Sequence, residues 1–306
     1  MKKFVFKIFM ALLPMVIYVA CFVMCEPYNY FGIHERALRD WTPLQVIREY
    51  MRNPSENIII GDSRMNHYDL EYAEELSGKK WANLSTGGQS SNQTYELYVW
   101  ANSQVGVENV IMDMSFWQIM ESPGSPSVIP AIYIAEHPLD YMVTRDYVIE
   151  AFSQLNVQAA EKIETQPVNE AKYREDLINY ATQYIYPGCI DYRIGEDQLQ
   201  HYLYVINDVQ ARGGQAKILA PVVQESIWTY VIEPLQLEPY LEEYKEEVSK
   251  YAVVYDMEWK SDLAKEQDCF ADGFHFSNWR YYNEIYLQNL FGDGNKYVII
   301  RDNTDN

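Results

Sequence analysis

Positive charge is scarce in this chain. Lys and Arg number 24 against 44 Asp and Glu, a formal net charge of −20. That balance argues against nucleic acid as a partner, because phosphate backbones are held by clustered cations. It argues equally against adhesion to an anionic membrane or to teichoic acid by charge alone. Cysteine is scarce too, with four in 306 residues. Cys21 and Cys25 lie inside an apolar run, so only Cys189 and Cys269 could form an extracytoplasmic disulfide, and the sequence leaves open whether they meet. No Cys/His cluster has zinc spacing, and no Gly-Lys-Ser/Thr phosphate cradle occurs. No metal and no cofactor is therefore expected.

Long hydrophobic runs are limited to one. Lys2, Lys3 and Lys7 precede Ile8 to Cys25, eighteen residues without a charge, and Glu26-Pro27 ends the run. Lysines ahead of an apolar segment hold that end in the cytosol and send the remainder across the membrane. Pro14 is tolerable inside a spanning helix. A cleaved signal peptide is the alternative, but no small-x-small site follows the run. Tyr18-Val19-Ala20-Cys21 has an unfavourable first residue for a lipoprotein cleavage box. The expected arrangement is a retained single-pass anchor over 1–26, a linking segment over 27–55 and an extracytoplasmic domain over 56–306.

Within that domain, apolar strand candidates (57–61, 81–84, 109–114, 216–222, 252–257) alternate with helical segments (65–77, 90–104, 196–212, 239–251, 278–291). Alternation of this kind predicts an α/β fold, a three-layer sandwich around a mostly parallel sheet. Along 239–251, Tyr240, Tyr244, Val248 and Tyr251 share one face and carboxylates the other, the pattern of a solvated amphipathic helix. The stretch 115–190 interrupts the alternation, with Pro123, Pro126, Pro130, Pro138 and Pro167, and reads as an inserted cap. Its aromatics (Trp117, Tyr133, Tyr141, Tyr147, Tyr173, Tyr184, Tyr186) either stack on sugar rings or pack the insert itself.

The most informative segment is Ile58-Ile59-Ile60-Gly61-Asp62-Ser63-Arg64. A short β-branched run stopped by glycine delivers Ser63 to a strand–helix junction, where unpaired N–H groups favour developing negative charge. A serine in that place is either a helix N-cap or a nucleophile. At the far end, Asp272-Gly273-Phe274-His275 puts an acid three residues before a histidine in one loop. A nucleophilic serine needs such a base, and the base needs a carboxylate to hold its tautomer.

With Gly61-Asp62-Ser63 early and Asp272-x-x-His275 late, the chain resembles the SGNH/GDSL hydrolase superfamily over roughly residues 56 to 291. The resemblance implies a flavodoxin-like sandwich, Ser63 as nucleophile, His275 as base and Asp272 as its orienting acid. Asn83-Leu84-Ser85-Thr86-Gly87-Gly88-Gln89-Ser90 matches the second block. It implies an oxyanion hole built from the N–H groups of Ser63 and Gly88, with Gly87 as fallback. The third block departs: Asp113-Met114-Ser115 stands where the family carries Gly-x-Asn-Asp, and Ser115 is the candidate replacement for the asparagine. Arg64, Trp117 and Asn92 are the candidates for substrate contact. His67, four residues beyond Ser63, is a competing base on spacing alone, but the resemblance gives that role to His275. Asp62 is expected to bond around the turn. His34, His137 and His201 have no partner in sequence that suggests chemistry.

Anchor and domain together resemble the membrane-anchored SGNH proteins that serve membrane-bound O-acyltransferases. That implies O-acyl transfer to or from a cell-surface polysaccharide, with such an acyltransferase as partner. A stand-alone carbohydrate esterase would use the same residues. A non-catalytic accessory protein of an acylation complex is the third alternative.

Overall fold

The isoleucine run forms β1 (Asn57–Ile60), and Ile58, Ile59 and Ile60 are wholly buried. A continuous apolar run is what a strand covered on both faces requires. The computed structural model describes residues 2–34, 41–121, 126–153, 170–292 and 297–304. The other strands are β2 (Ala82–Asn83), β3 (Asn109–Asp113), β4 (Gln215–Ala220), β5 (Val253–Asp256) and β6 (Ile299–Arg301). They form one sheet in the order β2-β1-β3-β4-β5-β6, with the first five parallel. The order 2-1-3-4-5 is that of flavodoxin-like doubly wound sheets. The expected α/β class and all five expected strands are present, each within one or two residues of its predicted ends at most.

Connection handedness explains how the sheet is covered. The β1-to-β2 crossover steps one way along the sheet, and those into β3, β4 and β5 step the other way. Right-handed crossovers therefore put the helix Leu70–Ser77 on one face and the helices Ser91–Val105 and Glu196–Ala211 on the opposite face. The packing agrees: 91–105 lies on 196–211, and 70–77 lies on Gln288–Phe291. Ser90 and Gln93 form a reciprocal capping box that starts the first of these long helices.

Several elements differ from the expectation. The helix predicted over 65–77 begins only at Leu70, because the Asp69 carboxylate caps it by accepting the Glu71 and Tyr72 N–H groups. Over 278–291 the helix is interrupted by a π segment, Tyr282–Leu287, that buries five of its six residues. The inward face of Glu238–Ser249 is Leu241, Tyr244, Lys245 and Val248, while Tyr240 is exposed. Lys245 is buried because Asp256 on β5 pairs with it at 2.9 Å. β6 is an antiparallel edge strand that the periodicity did not mark.

The chain divides into two compact units, Asn53–Val128 with Pro167–Asn306, and Met1–Arg52 with Ile129–Gln166. The first holds the sheet. The second contains the helix Lys2–Cys25, the helix Pro43–Arg52 packed on Ile129–Glu136, and the short helices Pro138–Val143 and Arg145–Ser153. Phe6–Cys25 is a 20-residue stretch of mean hydropathy 2.6, long and apolar enough to cross a membrane. Tyr141 packs inside this unit against Phe22, Tyr28 and Tyr30 and is not exposed. Pro123 and Pro167 of the expected insert lie outside the described residues.

Candidate active site

The chain leaves β1 at Gly61, where no side chain fits. A Cβ there would stand 2.0 Å from Asp113 Oδ1 and 2.8 Å from Met65 Cγ. Glycine lets the end of β3 press against the end of β1. The next residue, Asp62, is the N-cap of a 3₁₀ turn over Ser63–Met65, and its carboxylate accepts the Arg64 N–H at 2.9 Å. The cap is therefore Asp62 and not Ser63, which leaves the Ser63 hydroxyl uncommitted to the turn. Ser63 is half-buried.

That hydroxyl lies 2.6 Å from His275 Nε2. The histidine arrives on a loop pinned at several points. Ala271 N–H donates to His275 O at 2.7 Å, Ser277 N–H to Cys269 O at 2.8 Å, and Gln224 N–H to Gly273 O at 3.0 Å. Gly273 is packed so tightly that a Cβ would come 2.7 Å from Ile227 Cδ1. Phe276 is buried among Phe270, Tyr282 and Tyr286 and anchors the loop to the core. Asp272 accepts the N–H groups of Phe274 (2.7 Å) and His275 (2.9 Å), and its Oδ2 lies 2.8 Å from His275 Nδ1. Burial pushes the Asp272 carboxyl up, but the hydrogen bond and charge of His275 and the two backbone donors outweigh it and hold it below the usual range. A charged Asp272 on Nδ1 fixes the proton there and leaves Nε2 as the acceptor facing the serine.

Beneath this turn lies a buried ionic bed that sequence reasoning did not find. Arg64 is 2% exposed, and its Nη2 lies 2.6 Å from Asp62 Oδ2, 2.7 Å from Ser115 Oγ and 3.7 Å from Asp113 Oδ2. Asp113 accepts the Asp62 N–H at 3.2 Å and the Gln118 side-chain amide at 2.8 Å. Burial and then the Asp62 charge raise the Asp113 carboxyl well above its usual range. Burial also pushes Asp62 up, but the Arg64 charge overrides that and holds it low. The two acids are pushed in opposite directions, with a single guanidinium beside both. The signal available in sequence was Ser115-x-x-Gln118, a capping-box spacing that places Gln118 beside the strand end.

This bed corrects two expectations. Arg64 does not face substrate, because its guanidinium is turned into the interior to neutralise Asp62. Ser115 does not present an oxyanion donor. It is wholly buried, its Oγ accepts a hydrogen bond from Arg64 Nη2, and its N–H donates to Gln118 Oε1 at 3.0 Å. The remaining donors are backbone groups. Thr86 N–H bonds to Gly61 O at 3.0 Å, so the Gly87-Gly88 turn leaves the sheet beside the nucleophile turn. Gly88 has φ +64°, and both glycines are exposed. Among the described residues, the N–H groups of Ser63, Gly87 and Gly88 carry no hydrogen bond.

Trp117 is partly exposed and meets Phe116 edge-on, and Phe116 lies 6.2 Å from Phe274, the residue before His275. Tyr180 closes on the other side of Phe274 at 6.2 Å, which makes an aromatic wall beside the His275 loop. Asn92 is engaged on its own helix, with Nδ2 3.2 Å from Glu96 Oε1. His67 is exposed with its ring 5.4 Å from Tyr282, and it is His275 that the Ser63 hydroxyl meets. Cys189 and Cys269 are both buried and both free, and burial pushes the Cys189 thiol up to about 12.

A scan of family models and a search of curated proteins returned no match to the chain. Among solved structures it is similar to a chain described as "a putative platelet activating factor from Streptococcus pneumonia". That chain is 12% identical at a TM-score of 0.40, with 81% of this chain and 92% of that chain covered. A likeness of that size transfers neither a residue role nor an activity.

Proposed function

We propose that this chain is an extracytoplasmic serine acyl-transfer enzyme of the SGNH type, anchored by Phe6–Cys25 and working through a Ser63 acyl-enzyme. The observation that carries the reading is the continuous contact Ser63 Oγ–His275 Nε2–Asp272, 2.6 Å and then 2.8 Å. Serine, imidazole and carboxylate in that order form a proton path that a mere N-cap serine has no use for. His275 Nε2 takes the hydroxyl proton as Ser63 Oγ bonds to an ester carbonyl carbon. The carbonyl oxygen becomes an oxyanion held by the N–H groups of Ser63 and Gly88. Collapse breaks the bond to the leaving oxygen, which receives the proton from His275. Water or a sugar hydroxyl then repeats the sequence on the acyl-enzyme. Exposed Trp117 on the aromatic wall suits a sugar ring, which stacks on aromatic faces. A polysaccharide acceptor and a membrane-bound O-acyltransferase as acyl donor complete the proposal.

The test is intact-mass detection of an acyl adduct on the full chain in detergent, with Ser63→Ala as control. Both are incubated with an activated acetyl ester, with and without a polysaccharide acceptor. An adduct in wild type alone, discharged faster by glycan than by water, supports the transferase. Discharge by water with no glycan preference indicates an esterase. A folded wild type that forms no adduct and turns over no ester overturns the proposal and leaves an accessory role.

A further inference from the structure

The unit containing Met1–Arg52 and Ile129–Gln166 carries a feature that acyl transfer does not use. Tyr18 donates its hydroxyl proton to Met142 O, and its ring lies 6.1 Å from Phe152. Phe22, one turn later, packs against Tyr141 at 5.2 Å and Phe152 at 6.4 Å. The helices Pro138–Val143 and Arg145–Ser153 therefore lie alongside the apolar helix and not beyond its end. Tyr18 sits seven residues before Cys25, where the apolar stretch closes. At 1.5 Å per residue, Met142 and Phe152 are about 10 Å below that end along the axis.

The outer surface of this pair of helices is apolar. Leu139 (74% exposed) and Val143 (70%) are four residues apart on one helix face, and Ile149 (55%) projects from the second helix. At the bend between them, Thr144 N–H donates to Asp140 O, and Thr144 O accepts the Val148 N–H. The Met142 carbonyl, at the end of its helix, is taken by Tyr18. Backbone groups paired within the helices suit entry into lipid, and the first-turn N–H groups at Arg145–Tyr147 lie where the charged bend meets the headgroups. Exposed Arg145 and Asp146 at the bend limit the depth to the boundary between headgroups and acyl chains, about 5–10 Å in. Above them Glu26 is buried between the Tyr141 hydroxyl and the Tyr28 N–H, as a polar lid on the apolar layer.

We propose that the pair of helices 138–153 is an interfacial wedge that enters the outer leaflet beside the spanning helix, with Leu139, Val143 and Ile149 in contact with lipid. It rests on Phe6–Cys25 crossing the membrane. The wedge gives the single anchor a second, lateral attachment, which fixes the rotation of this unit about the helix axis.

The test is spin-label accessibility on the full chain in phosphatidylethanolamine–phosphatidylglycerol nanodiscs. In a background with Cys21→Ala and Cys25→Ala, labels are placed singly at Leu139→Cys, Val143→Cys and Ile149→Cys. Met15→Cys serves as the lipid reference and exposed Glu175→Cys as the water reference. The expected result is collision with oxygen several-fold above collision with a nickel chelate at the three positions and at Met15, and the reverse at Glu175. Labels at 139, 143 and 149 in water while Met15 is in lipid would overturn the wedge and leave the anchor standing. Met15 in water would overturn the anchor and the wedge with it. Labels shielded from both reagents would overturn lipid contact in favour of a protein surface.

Discussion

Replacing Arg64 with leucine tests whether the turn beneath the nucleophile is an electrostatic structure. Among the described residues the guanidinium is the only cation on a buried pair of acids, bonded to Asp62 and Ser115 and lying 3.7 Å from Asp113. Arg64→Leu keeps most of the volume but leaves the Asp62 carboxylate buried and unneutralised. Removing one partner of such a pair costs about 3–5 kcal/mol at pH 7, roughly 10 °C of Tm for a chain of this size. The pH dependence gives the sharper signature. Arg64 is what holds Asp62 low against burial. Without it, burial lifts the folded-state value above the unfolded value of about 4. An acid lifted in this way destabilises the fold above its unfolded pKa, and the penalty shrinks as pH falls toward that value. Wild type and Arg64→Leu should therefore diverge most near neutrality and converge in acid, read as urea midpoints of the full chain in detergent from pH 4 to 8. Adding Asp62→Asn should recover much of the loss. A loss below about 1 kcal/mol, or one independent of pH, would refute the reasoning. An unchanged midpoint with a raised KM would return Arg64 to the substrate.

Gly61→Ala places a methyl 2.0 Å from the fully buried Asp113 carboxylate. It should cost about 3 kcal/mol, the upper end of overpacking penalties, by the same urea assay. Asp272→Asn keeps an oxygen for the Phe274 and His275 N–H groups but loses the charge that orients the imidazole. Ser63 labelling by a fluorophosphonate should slow about 10⁴-fold while the melting point holds. Asp113→Asn removes an acid whose pKa is raised on folding. Such an acid favours the fold below its unfolded pKa of about 4 and loses that advantage as pH rises. The substitution should flatten the decline in stability from pH 4 to 8, seen as a smaller slope of urea midpoint against pH.

The sheet was legible because each central strand is an apolar run closed by a polar or turn residue, and runs of that kind have few other uses. β6 was not, because a three-residue edge strand is defined by its pairing with β5 and has no pattern of its own. The serine and the Asp272–His275 loop were legible as separate fragments. Bringing Ser63 to 2.6 Å from a histidine at the other end of the chain is the work of the whole sheet order. Arg64 was misread because adjacency to a nucleophile says nothing about side-chain direction. Its burial depends on Asp113, which arrives from a neighbouring strand. For the same reason the sequence left two readings open for the aromatics of 115–190. Tyr141 needs Phe22 and Tyr30 to show that it is core and not a sugar platform.

β3 ends at Asp113, directly beneath the nucleophile turn. Its carboxyl is wholly buried and turned under Gly61, where it receives the Asp62 N–H, so it cannot reach an oxyanion forming above Ser63. This strand end braces the nucleophile turn from below. On the proposed mechanism two backbone donors remain, and the lack of a third is worth about 10²–10³ in rate. That loss falls on both halves of the reaction, because acylation and deacylation each pass through a tetrahedral oxyanion in the same hole. It slows transfer to a sugar hydroxyl and hydrolysis by water by the same factor, and cancels from their ratio. Restoring a donor would raise turnover and leave partitioning untouched. On that proposal the fraction of acyl groups transferred is set by which hydroxyl can stand beside His275 Nε2, with exposed Trp117, backed by buried Phe116 and Phe274, as the candidate selecting surface.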